Sequence, residues 1–208
     1  MVRVESGALS YYMGDIKVYS QLMPSFGGLL SSLFADEAVY RPTYTGTGAI
    51  TLESSLGGFY ELNLQGDSWI LEPRSYWASE GSINVSFQRE KIITSIWAGE
   101  GPLYLQTKVR GQGKGILATR GPVEEFMLSE GQSVATEGKY VIARTGDVSF
   151  KVQRTTQNYF GRFTSGEGLV RVYSGTGRIL VNPAPYWRYR VSAERSGQSN
   201  DSPSRTTI

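Results

Sequence analysis

The sequence predicts an all-β fold of the β-sandwich class, built from three repeated β-units of about 65 residues with minimal helix. Three observations lead there. A Gly-led strand start recurs as Gly14-Asp15-Ile16-Lys17-Val18, Gly81-Ser82-Ile83-Asn84-Val85 and Gly146-Asp147-Val148-Ser149-Phe150. A Gly-x-Gly element follows in the same order, as Gly46-Thr47-Gly48, Gly111-Gln112-Gly113 and Gly175-Thr176-Gly177. Composition agrees: 25 glycines suit many turns, and 13 Tyr, 8 Phe and 4 Trp suit strands better than helices.

The units fall at about residues 7–55, 56–119 and 120–191, forming one domain over 1–191. Units two and three align without gaps from Gly66–Arg89 onto Gly131–Arg154, with Glu72/Glu137, Ala78/Ala143 and Arg89/Arg154 among the identities. Within a unit the apolar period is two. Ile83, Val85 and Phe87 alternate with Asn84, Ser86 and Gln88, and Val148, Phe150 and Val152 with Ser149, Lys151 and Gln153. Leu103, Leu105 and Val170, Val172 open further strands. Each Gly-x-Gly stands between two such runs, where a hairpin turn with positive φ is expected. The single helix candidate is Leu29–Phe34, a turn or two after Gly27-Gly28. It has apolar counterparts at Ile92, Ile93, Ile96 and Trp97 and at Tyr159, Phe160 and Phe163. Such connectors are expected to cap a sandwich or face a neighbouring subunit more readily than a membrane. The first unit begins without an expected strand before Ser6-Gly7-Ala8. Residues 192–208, rich in Ser, Arg, Asn and Pro, read as a disordered polar tail.

Composition narrows the function. The chain has neither Cys nor His. A Ser-His-Asp triad, a thiolate nucleophile and a His- or Cys-ligated metal are therefore ruled out of these residues. No catalytic residue, cofactor or metal site is expected. A net charge of +2 lacks the footprint of a dedicated nucleic-acid binder. No stretch approaches the ~20 apolar residues of a membrane-spanning helix, and the opening residues resemble neither a signal nor a transit peptide. A cytoplasmic protein is the expectation.

Three motifs are weighed for chemistry. GQGKG at 111–115 lacks the spacing of a phosphate loop and reads as a hairpin turn. Glu37, Glu100 and Glu167 precede small residues at similar steps. They could gather around an axis as oxygen ligands, though bonding to their own turns is the simpler reading. Tyr186-Trp187-Arg188-Tyr189-Arg190 interleaves aromatics and guanidiniums, which could stack on bases or sugars. As a last amphipathic strand it packs equally well. Glu37, Glu100, Glu167, Tyr186, Trp187 and Arg188 are thus the candidate interaction residues.

Phe26-Gly27-Gly28-Leu29-Leu30, Ala35-Asp36-Glu37, Gly46-Thr47-Gly48, Gly99-Glu100-Gly101, Gly113, Gly166-Glu167-Gly168-Leu169 and Gly177 follow one another in a familiar order. Over residues 7–191 this order resembles the altered-inheritance-of-mitochondria protein twenty-four family, formerly a domain of unknown function. The resemblance implies a β-sandwich similar to the tryptophan RNA-binding attenuation protein (TRAP-like), commonly assembled as a homotrimer. Fungal members are mitochondrial and linked to inner-membrane organisation, and most bacterial and archaeal members have no assigned activity. Fold likeness licenses neither tryptophan nor RNA binding. The expected function is a non-enzymatic assembly or scaffold protein acting as a homo-oligomer, with a protein or membrane-associated partner. Its alternatives are an RNA- or polysaccharide-binding module using the Tyr186–Arg190 strip, and a hydrolase needing two of Glu37, Glu100, Glu167, Glu72 and Glu137 in one cleft.

Overall fold

A computed structural model describes residues 1–20, 41–55, 57–89, 105–137, 140–154 and 169–183. These residues form thirteen β-strands: β1 (Val2–Val4), β2 (Leu9–Tyr19), β3 (Thr43–Leu52), β4 (Phe59–Leu71), β5 (Tyr76–Glu80), β6 (Asn84–Arg89), β7 (Leu105–Ala118), β8 (Glu124–Leu128), β9 (Ser133–Glu137), β10 (Val141–Thr145), β11 (Ser149–Arg154), β12 (Leu169–Ser174) and β13 (Gly177–Val181). No helix occurs among the described residues. The helix candidate Leu29–Phe34, the other apolar connectors and the polar tail lie outside them.

Every pairing is antiparallel. A ten-stranded sheet runs β2-β3-β1-β5-β7-β4-β10-β13-β8, with β6 added on β7, and a three-stranded sheet runs β11-β12-β9. The alternation read from sequence holds from Val148 to Gln153, where Val148 and Phe150 are buried and Ser149, Lys151 and Gln153 exposed. In the other run Ile83 is buried and Asn84 exposed, but Val85, Ser86, Phe87 and Gln88 are all half-buried. β1 precedes Ser6, so the expectation that no strand leads the first unit is corrected: Val2 pairs with Tyr44 and Val4 with Ala78, and Val4 is fully buried.

The Gly-x-Gly elements are not hairpin turns, which corrects the turn assigned to GQGKG. Gly46 and Gly48 lie inside β3, and Gly111 and Gly113 inside β7. Gly175 and Thr176 form the bend between β12 and β13. In β7 the pair marks a change of neighbours. Before Gly111 the strand lies between β6 and the end of β4, with Val109 opposite Val85 and Trp69. After Gly113 it lies between β5 and the start of β4, with Gly115 opposite Ser79 and Leu62. The bend at Gly175 likewise hands the chain from the small sheet to the large one. At φ of +140° and +124°, Gly111 and Gly175 hold a backbone that side chains rarely adopt. A side chain there would also press into a neighbouring backbone, Ser82–Ile83 for Gly111 and Asp147–Val148 for Gly175. Glycine allows both the bend and the close approach.

Strand register slips occur between Leu9 and Tyr11 against β3, between Gln65 and Ser68 against β7, between Tyr76 and Ala78 against β7, and between Val141 and Ala143 against β13. The apolar core forms clusters that share strands. Leu62, Leu64, Trp69, Leu71, Ile83 and Val109 pack with Ala143 of β10 and Leu180 of β13. Val141, Val148, Phe150, Tyr173 and Ile179 form a second cluster, and Val4, Ala8, Tyr44 and Ala78 a third.

Candidate functional site

Charged residues punctuate two otherwise apolar strands, Arg144 within Val141–Thr145 and Arg171 within Leu169–Ser174. Period-two alternation gives each a face opposite its apolar neighbours, and in both cases that face is also buried. The result is a polar seam joining the large sheet to the small one. Glu72, just beyond β4, accepts a hydrogen bond from Gln106 Nε2 of β7 at 2.7 Å and faces Arg171 Nη1 of β12 at 3.5 Å. Arg144 of β10 donates from both terminal nitrogens to Gln106 Oε1 at 3.3 Å and from Nε to the Val148 carbonyl at 2.9 Å. Both guanidiniums lie near the Phe150 ring, that of Arg144 at 5.4 Å from its centre and that of Arg171 at 5.2 Å. A buried charge is tolerated only when paired and hydrogen-bonded, and the seam supplies both. Burial, reinforced by the Glu72 charge, pushes the Tyr173 hydroxyl well above the usual tyrosine range.

A second cluster forms around Arg41, before β3. Its Nε donates to Glu5 Oε2 at 2.9 Å and its Nη2 to Thr107 Oγ1 at 2.8 Å. The guanidinium lies 4.7 Å from the Tyr76 ring centre and 4.8 Å from that of Phe87, within cation–π range. A third cluster is half exposed. Asp67 accepts from Arg178 Nη2 at 2.6 Å, from the Trp69 indole at 2.8 Å and from the Gln65 amide at 3.0 Å. Arg178 also lies over Trp69 and reaches Glu125 Oε1 at 3.4 Å. Burial alone would raise the Asp67 carboxyl; these donors and the Arg178 charge outweigh it and hold the carboxyl below its usual value.

These clusters tie strands together and offer no open chemistry. Glu72 is held by an amide and a guanidinium, which leaves it unsuited to general acid–base work. Among the described residues no group of three or more acidic side chains is placed to hold a metal ion. A small apolar cavity of about 10 Å³ lies among Leu62, Leu64, Tyr76, Ile83, Val109 and Leu117. That is at the limit for a single water and far below what a cofactor needs.

All six candidate interaction residues, Glu37, Glu100, Glu167, Tyr186, Trp187 and Arg188, lie outside the described residues. So does the side chain of Glu137. Arg41 and Arg171 were not legible as partners of glutamates, nor Arg144 as a partner of Gln106. The available signal was a lone guanidinium inside an apolar strand run. The other feature that sequence reading passed over is surface. Among the described residues β2 ends the large sheet and exposes Tyr11, Tyr12, Met13, Val18 and Tyr19; β8 at the far end exposes Phe126 and Met127.

The fold and these clusters define an all-β protein of the β-sandwich class, with a buried Arg171–Glu72 contact between its two sheets. The chain belongs to the family described as Mitochondrial biogenesis AIM24, whose model matches residues 1–184. It is 20% identical over 190 residues to an uncharacterised protein of Streptococcus pyogenes serotype M6, covering 86% of this chain and 75% of that one. It is also similar to the crystal structure of a Streptococcus pyogenes protein determined by a structural genomics consortium. That likeness has a TM-score of 0.66 at 18% identity over 94% of this chain and 88% of the other, and it bears on the fold. Among the described residues no helix is long and apolar enough to cross a membrane.

Proposed function

We propose that this chain is a non-catalytic assembly protein that works as a homo-oligomer, its three β-units presenting sheet edges to further copies. One observation carries the reading. The edge strand β2 exposes Tyr11, Tyr12 and Met13 in succession, at 53%, 47% and 62% of their surface. An apolar edge of this kind is a pairing template that folded proteins otherwise cover or charge. The three-unit reading is supported by three of the four register slips among the described strands, those at Tyr11, Ala78 and Ala143; the fourth, between Gln65 and Ser68, lies outside the series. The three are 67 and 65 residues apart, the same steps as the Gly14, Gly81 and Gly146 elements. A reducing, cytoplasmic setting suits the cysteine-free composition.

Native mass spectrometry of the full chain tests the proposal. A subunit of 22.9 kDa gives about 69 kDa for a symmetric trimer, the expected form. A monomer persisting at high micromolar concentration would sink it.

A further inference from the structure

Two junctions along the chain share one construction. β5 runs antiparallel to β1, with Ala78 opposite Val4, Ser79 opposite Arg3 and Glu80 opposite Val2. β10 runs antiparallel to the end of β4, with Ala143 opposite Leu71, Arg144 opposite Ile70 and Thr145 opposite Trp69. In both, the alanine that enters the junction is the first residue after a register slip against the strand's other neighbour. β2 has the same slip against β3, and Tyr11 is the first residue after it. No strand lies on the outer side of Tyr11 among the described residues.

The complementary edge is present as well. The end of β4 lies between β7 and β10, with Trp69 opposite Val109 and Leu71 opposite Thr107. β9 pairs with β12 in the same way, Val134 opposite Tyr173 and Thr136 opposite Arg171. Val109 and Tyr173 each stand two residues before the first glycine of a Gly-x-Gly, Gly111 and Gly175. Thr136 therefore stands where Leu71 does, yet β9 ends its sheet among the described residues. Two further facts mark the pair of edges as unfinished. Ala78 and Ala143 are buried, at 5% and 1%, while Tyr11 is 53% exposed. Thr136 Oγ1 is buried with no hydrogen-bond partner among the described residues.

We infer that β2 of one copy pairs antiparallel with β9 of the next, with Tyr11 opposite Thr136, Tyr12 opposite Ala135 and Met13 opposite Val134. This rests on the homo-oligomer reading above and gives it an interface. The occupant is a second copy because the two complete junctions already use this edge pair, and the third continues the same series. The contact is head-to-tail, so copies close into a ring or extend as a filament.

The chain contains no cysteine, so introduced thiols report the register directly. Full-length Tyr12→Cys and Ala135→Cys, both at exposed positions, are mixed, oxidised and run without reductant. Directly opposed residues are within reach of a disulfide. The off-register mixture of Tyr11→Cys with Ala135→Cys puts the thiols on opposite faces and serves as control. The inference expects a mixed dimer roughly tenfold above that control, with circular dichroism unchanged. The chain carrying both Tyr12→Cys and Ala135→Cys is expected to give a ladder of linked copies. A mixed dimer no stronger than the control, in a protein that is still oligomeric by native mass spectrometry, overturns the β2–β9 interface and leaves the homo-oligomer reading standing. A monomer linked internally in the doubly substituted chain overturns it by showing closure within one copy. A protein monomeric throughout removes both.

Discussion

Replacing Gly111 by Ala tests the reading of the Gly-x-Gly element as a strand bend pressed against its neighbour. At Gly111 φ is +140°, and an added Cβ would stand 2.9 Å from the Ser82 carbonyl oxygen and 3.3 Å from Ile83 Cα. Two costs combine. Forcing an L-residue into positive φ costs about 1–2 kcal/mol. Inserting a methyl into a packed contact adds about 1–3 kcal/mol, since the Ser82–Ile83 backbone leading into β6 has to move away from β7. The sum is about 2–5 kcal/mol. For a chain of this size that lowers the melting temperature by roughly 10 °C, at about 2–4 °C per kcal/mol. Gly131 separates the two costs: its φ is +79°, and nothing lies within 4 Å of an added Cβ. Gly131→Ala is expected to pay the conformational part alone, a fall of about 4 °C. Thermal melts followed by far-ultraviolet circular dichroism measure both. Equal falls for the two variants would refute the close-approach argument.

The buried seam gives a second prediction. Glu72→Ala leaves the Arg171 charge without its carboxylate and should cost about 3–5 kcal/mol in urea unfolding, whereas Glu72→Gln keeps an acceptor for Gln106 and should cost less. A loss below about 1 kcal/mol for Glu72→Ala would show that the seam does not hold the sheets together. A third concerns alkaline pH. Burial pushes the Tyr76 hydroxyl up to about 12, only partly offset by its 2.8 Å bond with Ser79 Oγ. A raised native value means the unfolded chain loses its proton first, so this stabilisation is complete below about pH 10. It is then lost as pH rises through about 12. The urea midpoint should fall across that window, and Tyr76→Phe should flatten the fall; an unchanged slope in the variant would assign it elsewhere. Tyr173, shifted in the same direction, adds to the effect. A fourth concerns Asp67, whose lowered carboxyl stabilises the fold above the ordinary carboxylate range and loses that contribution as pH falls through its own value. Asp67→Asn should cost about 1 kcal/mol, given the partial exposure of the Arg178 pair. It should also shift Trp69 fluorescence, because the indole N–H bonds to that carboxylate. Unaltered emission would place Trp69 in a different environment.

Strand content was readable in advance because a half-buried strand writes its two faces into alternate residues, as Ile83–Gln88 and Val148–Gln153 do. Family membership was readable from the order of short glycine elements along the whole chain. The role of those glycines was not. Positive φ serves a hairpin turn and a strand bend equally, and only the partners of Val109 and Gly115 reveal that β7 changes neighbours between them. The buried glutamate contacts were hidden for a related reason. Glu72 is 34 residues from Gln106 and nearly 100 from Arg171, and no local pattern encodes a partner at that range.

By itself, then, the sequence determined the class of the fold, the residues that alternate between core and solvent, and the chemistries closed to a chain without Cys or His. Those properties are local or compositional. Tertiary structure alone decided that Gly111–Gly113 is a crossing between neighbours, that Arg171 is buried beside Glu72 and Arg144 beside Gln106, and that β2 and β9 end their sheets among the described residues. These depend on which distant backbones meet, and hydrogen bonds between strands carry no mark in the residues that make them.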